Sequence, residues 1–223
     1  RFWEGRRLLG GLTNRTRDLM RQVVGMTEGS DADASRERAE VQRLVVLFYR
    51  LTAQSLRDEN ELEPLADLLT PAERALLEPL VARPGVVATW ISTRLVREAR
   101  RSGTSEERLL AMDANLTALI DNWGGCERIR RTPVPFAYAQ HIKVFVTVWC
   151  FSVPFALVDT MRLYTPFAAA LLALALFGID EIGVEIEDPF GYDPNDLPLD
   201  AIADRIRVST GEIVSAGRPG AAT

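Results

Sequence analysis

Residues 144–158 read VFVTVWCFSVPFALV and residues 163–179 read LYTPFAAALLALALFGI, and neither run contains a charged side chain. Asp159-Thr160-Met161-Arg162 separates them and leaves room only for a tight turn. Each run alone is shorter than the ~20 apolar residues of a standard membrane span. Extended over the weakly polar flanks, back to Ile142 and on to Ile182, each becomes a short or tilted span. A core helix of a soluble protein keeps one polar face over such a length. Both segments here are apolar all round, with Ala, Gly and Ser interspersed as close helix packing in lipid requires. The reading is a helical hairpin that crosses a membrane twice.

Basic residues orient that hairpin. Arg128, Arg130, Arg131 and Lys143 precede it, the turn holds only Arg162, and Arg205 and Arg207 follow. Positive charge collects on the cytoplasmic side, so both flanks are expected inside and the turn outside. The organisation expected is a helical, mainly cytosolic region over residues 1–140, a transmembrane hairpin over 141–185, and a cytosolic turn, helix and frayed tail over 186–223.

Averages over the 223 residues conceal this division. With 47% hydrophobic and 26% charged residues, a net charge of −5 and a mean hydropathy of +0.00, the composition is that of an ordinary globule. It excludes a disordered chain and a strongly basic nucleic-acid binder. Two cysteines exclude a disulfide scaffold. The basic residues are 25 Arg and one Lys, a usage that reads as genomic base composition.

The region before the hairpin reads as helices, and no alternating strand pattern extends beyond a few residues, so the fold class is all-α. Helices are expected over residues 13–26, with Thr13 as N-cap, and over 35–56, where Val41, Leu44, Val45, Phe48 and Leu51 recur near helical spacing. Thr70-Pro71-Ala72-Glu73 is a helix start with Thr as N-cap, Pro at N1 and Glu at N3, and Pro79 should end that helix early. Arg83-Pro84-Gly85 opens a helix to about Arg101, and Ser102-Gly103-Thr104 is a linker. The next helix runs from Ser105 to Trp123 and closes at Gly124-Gly125. Pro133 and Pro135 mark a bend into the hairpin, and residues 194–216 read as a last amphipathic helix.

Reactive chemistry is sparse. His141 is the one histidine, Cys126 and Cys150 are isolated, and there is no phosphate-cradling glycine loop or nucleophile elbow, so no cofactor or metal is expected. His141 reads as an interfacial residue and the cysteines as small packing residues. Asn14-Arg15-Thr16 and Asn115-Leu116-Thr117 match the glycosylation pattern but fall on the cytosolic side. The acids after the second apolar run stand out: Asp180, Glu181, Glu185, Glu187 and Asp188, then Asp193, Asn195, Asp196 and Asp200. Acids at the end of a span face a bundle interior or a water path rather than lipid, which makes the first five ion-pathway candidates.

A set of motifs in fixed order carries a resemblance. Gly124-Gly125-Cys126-Glu127-Arg128-Ile129 leads into Arg131-Thr132-Pro133-Val134-Pro135-Phe136-Ala137-Tyr138, then His141-Ile142-Lys143, Trp149-Cys150, Val153-Pro154-Phe155 and Thr165-Pro166-Phe167. Gly183-Val184-Glu185-Ile186-Glu187-Asp188-Pro189-Phe190-Gly191 runs into Asn195-Asp196-Leu197-Pro198-Leu199-Asp200. Together these resemble the bacterial branch of the bestrophin family over essentially the whole chain. Leu69-Thr70-Pro71-Ala72-Glu73 is similar to a cytosolic helix start of animal members, and Arg1-Phe2-Trp3-Glu4 resembles the Arg-Trp-Trp stretch that follows the family's pore neck.

The resemblance implies a homopentameric ion channel in the bacterial inner membrane, with self, the lipid bilayer and permeant inorganic ions as partners. It also implies that a first transmembrane helix and the apolar neck lie upstream of Arg1, so that the hairpin supplies the third and fourth of four spans. A cytosolic aperture is expected near the start of the helix from Ser105, at Leu109 or Met112. Where animal members clasp calcium after the Pro-Phe-Gly turn, only Asp193, Asn195 and Asp196 remain, and Pro194 interrupts them. Calcium takes about six to eight oxygens, so the implied channel is not calcium-gated. Family membership suggests chloride or other anions, while the bacterial branch and the acid-rich end of the hairpin lean to monovalent cations. The alternatives are a membrane-anchored interaction module and a membrane-embedded enzyme pairing His141 with Glu185 or Asp188.

Overall fold

A computed structural model describes residues 1–27 and 32–216. Eight α-helices account for most of them: α1 (Phe2–Met26), α2 (Ala32–Leu56), α3 (Pro71–Leu77), α4 (Arg83–Ser102), α5 (Glu106–Arg131), α6 (Phe136–Met161), α7 (Thr165–Glu185) and α8 (Leu199–Ala216). No strand occurs among the described residues. Helix α1 packs on α5 and α8, and α2 on α4 and α8. Leu9, Leu12, Leu19, Val41, Leu44, Leu47, Phe48, Ile91, Met112, Leu119 and Ile206 share one core among them.

Helix boundaries follow local chemistry where a cap or proline is present. At Thr70 the side chain accepts from the Glu73 amide and the Glu73 carboxylate takes the Thr70 amide, a complete capping box with Pro71 at N1. Helix α3 ends at Leu77, two residues before Pro79. Its freed carbonyls are met by buried Arg83, which donates to Leu77 O at 3.0 Å and Glu78 O at 3.1 Å. Helix α4 closes on Gly103 in the left-handed conformation, φ 66°. The expected bend falls at Pro133 and Pro135, between α5 and α6, so α6 begins at Phe136 and the boundary expected at 140/141 lies inside it.

Packing overrides other expected boundaries. Helix α1 begins at Phe2, and Thr13 lies in its interior, donating to Leu9 O at 2.9 Å rather than capping. Helix α5 runs through Gly124-Gly125 to Arg131. Gly125 serves the α1–α5 crossing, since a Cβ there would lie 2.9 Å from both Leu8 methyls. Gly11 does the same from the other side, where a Cβ would meet Asn122 Oδ1 at 2.4 Å. Further along the same seam Asn115, 3% exposed, donates to Asp18 at 2.7 Å and Gln22 at 2.8 Å, so this asparagine is locked in the α1–α5 seam and is no sugar acceptor. The hairpin turn starts at Arg162, φ 42°, with Asp159 and Thr160 still helical. Residues 194–198 are not helical, and α8 begins only at Leu199. The tail expected from Gly217 lies outside the described residues.

Helices α6 and α7 pack on each other alone over most of their length. Their most apolar window of 18 residues has a mean hydropathy of 2.0, and none of it is buried. Phe151, Phe155, Phe167 and Leu174 are each more than 65% exposed. The bundle differs: most of its large apolar residues are buried, with Trp3, Val81 and Leu110 among those exposed.

Arg43 ties α2 to the start of α3, holding Glu40 and Glu73 each at 2.7 Å. The Arg43 hydrogen bond holds the Glu40 carboxyl below the usual carboxylate range. Burial pushes Glu73 up, but hydrogen bonds from Arg43 and Thr70 outweigh it and the net direction is again down. A lowered folded-state value gives stability that is present above pH ~4.5 and is lost as pH falls through the folded values. Thermal unfolding from pH 7 to 3 should therefore show Arg43→Gln less stable than the parent at neutral pH, with the gap closing below pH ~4.5.

Candidate functional site at the foot of the helical hairpin

The chain leaves α7 at Glu185 and reaches α8 at Leu199 through a strap bound closely to the bundle. Its anchor is Phe190, which is fully buried. A Cβ on Gly5 of α1 would lie 3.2 Å from the Phe190 ring and 3.2 Å from the Pro189 ring, so glycine lets both rings sit close on the helix. Leu197 N–H donates to Pro189 O at 2.9 Å and closes the strap on itself. Gly191 leaves room for the Asp196 carboxylate in the same turn, since a Cβ there would meet Asp196 Oδ2 at 2.7 Å.

Arginines fix the strap from three helices. Arg130, at the end of α5, places one guanidinium nitrogen 2.7 Å from Asp188 and the other 2.7 Å from Asp58. Arg57, at the end of α2, donates to Phe190 O at 3.2 Å and to Asp200 at 2.7 Å, with its guanidinium 4.1 Å from the centre of the Tyr192 ring. Tyr192 in turn donates to Glu59. Arg50 bridges Asp200 and Asp204. Glu187 accepts from Val134 N–H at 3.1 Å and faces Arg1 at 3.6 Å, joining the foot of α7 to the Pro133–Pro135 bend and to the start of α1.

Most of the acids singled out in the sequence are thus structural ligands of this strap. Glu185 accepts from Asn195 at 2.6 Å, and Asp196 accepts the Asp193 N–H at 2.8 Å inside its own turn. Burial, first, and the neighbouring acids Asp193 and Asp188 push the Asp196 carboxyl above its ordinary value. Among the described residues no three His, Cys, Asp or Glu side chains converge as a metal site. Asp180 and Glu181 differ from the rest. Asp180 lines a cleft of about 320 Å³ between α6 and α7, together with Lys143, while Glu181 is exposed.

The motif residues divide in the same way. Gly125 and Cys126 are core residues, and burial pushes the Cys126 thiol up to about 12. Glu127 and Arg128 form surface pairs with Arg131 and Glu4, and Gly124 faces open space. Leu109 packs partly against the core. Met112 is fully buried in the core. The sequence reading missed Arg57, Asp58 and Gly5, because their partners lie more than 70 residues away along the chain. The local signal available was an arginine next to a helix end, which is common.

A bundle strapped to an apolar, unburied hairpin has counterparts among known proteins. The family profile described as Bacterial/Fungal Bestrophin protein matches residues 1–212. This chain belongs to the bestrophin family. A bestrophin relative from Nostoc sp. (strain PCC 7120), a voltage-dependent anion channel-forming protein, is 38% identical over 215 residues, 96% of this chain and 70% of the relative. The voltage-dependent anion channel-forming protein of Escherichia coli (strain K12) is 33% identical over 93% of this chain and 67% of its own length. The crystal structure of a bacterial bestrophin homolog from Klebsiella pneumoniae superposes with a TM-score of 0.88 at 27% identity, over 98% of this chain and 79% of that one.

Truncating Phe190 removes the anchor of the bestrophin strap. Phe190→Ala should cost about 3–5 kcal/mol, whereas Tyr192→Ala, which loses an exposed cation–π contact, should cost about 1 kcal/mol or less. Thermal and denaturant unfolding of the two variants in detergent measure the difference.

Proposed function

We propose that this chain is a subunit of a bestrophin ion channel, a homopentamer that conducts small monovalent ions across the bacterial inner membrane. Helices α6 and α7 form a transmembrane hairpin, residues 1–140 and the C-terminal part lie in the cytoplasm, and the permeant ions and the bilayer are the partners. The observation that carries this reading is the hairpin itself, whose apolar surface has no protein cover. An exposed surface of that size needs lipid or a neighbouring subunit. The family and its channel-named relatives favour transport over catalysis, so no chemistry is assigned to His141.

Anions are the first reading of selectivity, following the relatives' description as anion channel-forming. Monovalent cations are the second, favoured by Asp180 and Glu181 at the foot of α7, for which no ion pair is formed among the described residues. Calcium gating is not expected, since Asp188, Asp196 and Asp200 already serve Arg130, a backbone amide, and Arg50 with Arg57. The aperture is assigned to the first turns of α5, with Leu109 its nearest apolar candidate.

Planar-bilayer recording under a KCl gradient tests the reading. A reversal potential near the chloride equilibrium value confirms the anion channel, and one near the potassium value replaces it with the cation reading. Absence of current together with a cross-linking ladder that stops short of five overturns the channel assignment. His141→Ala should leave ion flux intact.

A further inference from the structure

Arginine is abundant in this bundle, and most arginines are neutralised. Arg43 holds two glutamates, Arg94 lies between Glu37 and Glu40, and Arg50, Arg57 and Arg130 clamp the strap. Three that are not line one groove. It runs between α1 and the strap with α8, encloses about 530 Å³, and is lined by Arg6 and Arg17 from one side and Arg205 from the other. Among the described residues no carboxylate lies within ion-pairing distance of any of the three. Arg6 rests over the Trp3 ring at 5.5 Å, Arg17 Nε donates to Ser209 Oγ at 3.1 Å, and Arg205 Nε donates to Ala201 O at 3.3 Å. Those contacts use one nitrogen each from Arg17 and Arg205, and their terminal nitrogens stay available.

The single acid on the groove wall is Asp196, and its Oδ2 is already committed to the Asp193 amide. The floor is apolar, with Leu9 and Ile202 facing it. Gly10 also lines the groove, and a Cβ built there meets nothing within 4 Å. Arg6 and Arg17 stand eleven residues apart on α1, about 16 Å along the helix axis. Arg17 turns toward Ser209 and Arg205 back toward Ala201, one turn on either side of position 205 along α8, and both line the groove.

We infer that this groove binds a small organic phosphate, its phosphate held by the arginines that line the groove and its apolar part over Leu9, Gly10 and Ile202. Guanidinium forks match phosphate oxygens in pairs, and a groove of this volume is in the range that holds small-molecule ligands. A carboxylate has one charge and two oxygens, whereas a phosphate monoester offers up to two charges and three oxygens to the paired arginines. The same chemistry is presented by a free solute and by the headgroup of an anionic phospholipid. The site does not depend on ion conduction, since it lies in the cytosolic bundle rather than in the hairpin.

Titration calorimetry on the purified assembled protein in neutral detergent tests this, with phenyl phosphate as the probe. Saturable binding is expected, at least tenfold weaker in Arg17→Gln and in Arg205→Gln and weakened by salt. Gly10→Leu places a side chain in open space on the groove floor. It should weaken phenyl phosphate at least tenfold while the thermal midpoint stays within a few degrees of the parent. Repeating the titration in vesicles of phosphatidylcholine with and without phosphatidylglycerol identifies the source. Competition by phosphatidylglycerol supports the site as one for a lipid headgroup, and unchanged binding supports it as one for a solute. No saturable heat in the parent, or equal affinity in the parent, the two arginine variants and Gly10→Leu, overturns the proposal.

Discussion

The contact of Phe190 with Gly5 is the constraint on which the rest of the molecule depends. Helices α6 and α7 share little with the bundle along their length, so their position is fixed at the foot. There a fully buried ring and its neighbouring proline sit on a helix face that lacks a side chain. Burial of one aromatic ring stabilises by a few kcal/mol, which is enough to place the strap. The ion pairs then define its path: Arg130 to Asp188, Arg57 and Arg50 to Asp200. Most of these pairs are half-exposed on the acid side, where each contributes little alone. As a network around a hydrophobic anchor they set geometry rather than stability.

That arrangement turns an acid-rich stretch into a mechanical joint. The foot of α7 is connected through Glu187 to the α5–α6 bend and to Arg1, and through Phe190 to α1. A displacement of the hairpin relative to the bundle must therefore load the start of α1 directly. Such a joint couples the hairpin to the helical bundle. It also explains why carboxylates that read as an ion path in the sequence are here occupied by guanidiniums and amides.

Much of the fold was legible because its signals are local. The Thr70 capping box, Pro79, Gly103 and the Pro133–Pro135 bend act within a few residues of themselves, and the two uncharged runs declare the hairpin by composition alone. The failures share one cause. Gly124-Gly125 carries the composition of a helix stop, yet Gly125 is needed where α1 crosses α5, and that requirement comes from Leu8, more than 100 residues earlier. Thr13 resembles an N-cap, but nothing in the preceding residues stops α1, so the helix simply continues back to Phe2. Which face of α5 is buried, Met112 included, is decided by α1, α2 and α4 rather than by its own spacing. The acids at the foot of α7 were visible as a cluster, but their partners Arg57 and Asp58 were not.

In the proposed topology the hairpin crosses the bilayer with both of its ends on one side. Cysteine accessibility in intact cells measures this most directly, in a background carrying Cys150→Ser. Cys126 stays silent because it is buried and its thiol is pushed up to about 12. Leu163→Cys, in the exposed turn, should react with a membrane-impermeant maleimide added outside, and Glu212→Cys, on α8, only after the membrane is opened. Labelling of Glu212→Cys from outside, or protection of both positions until the cells are permeabilised, would contradict the account.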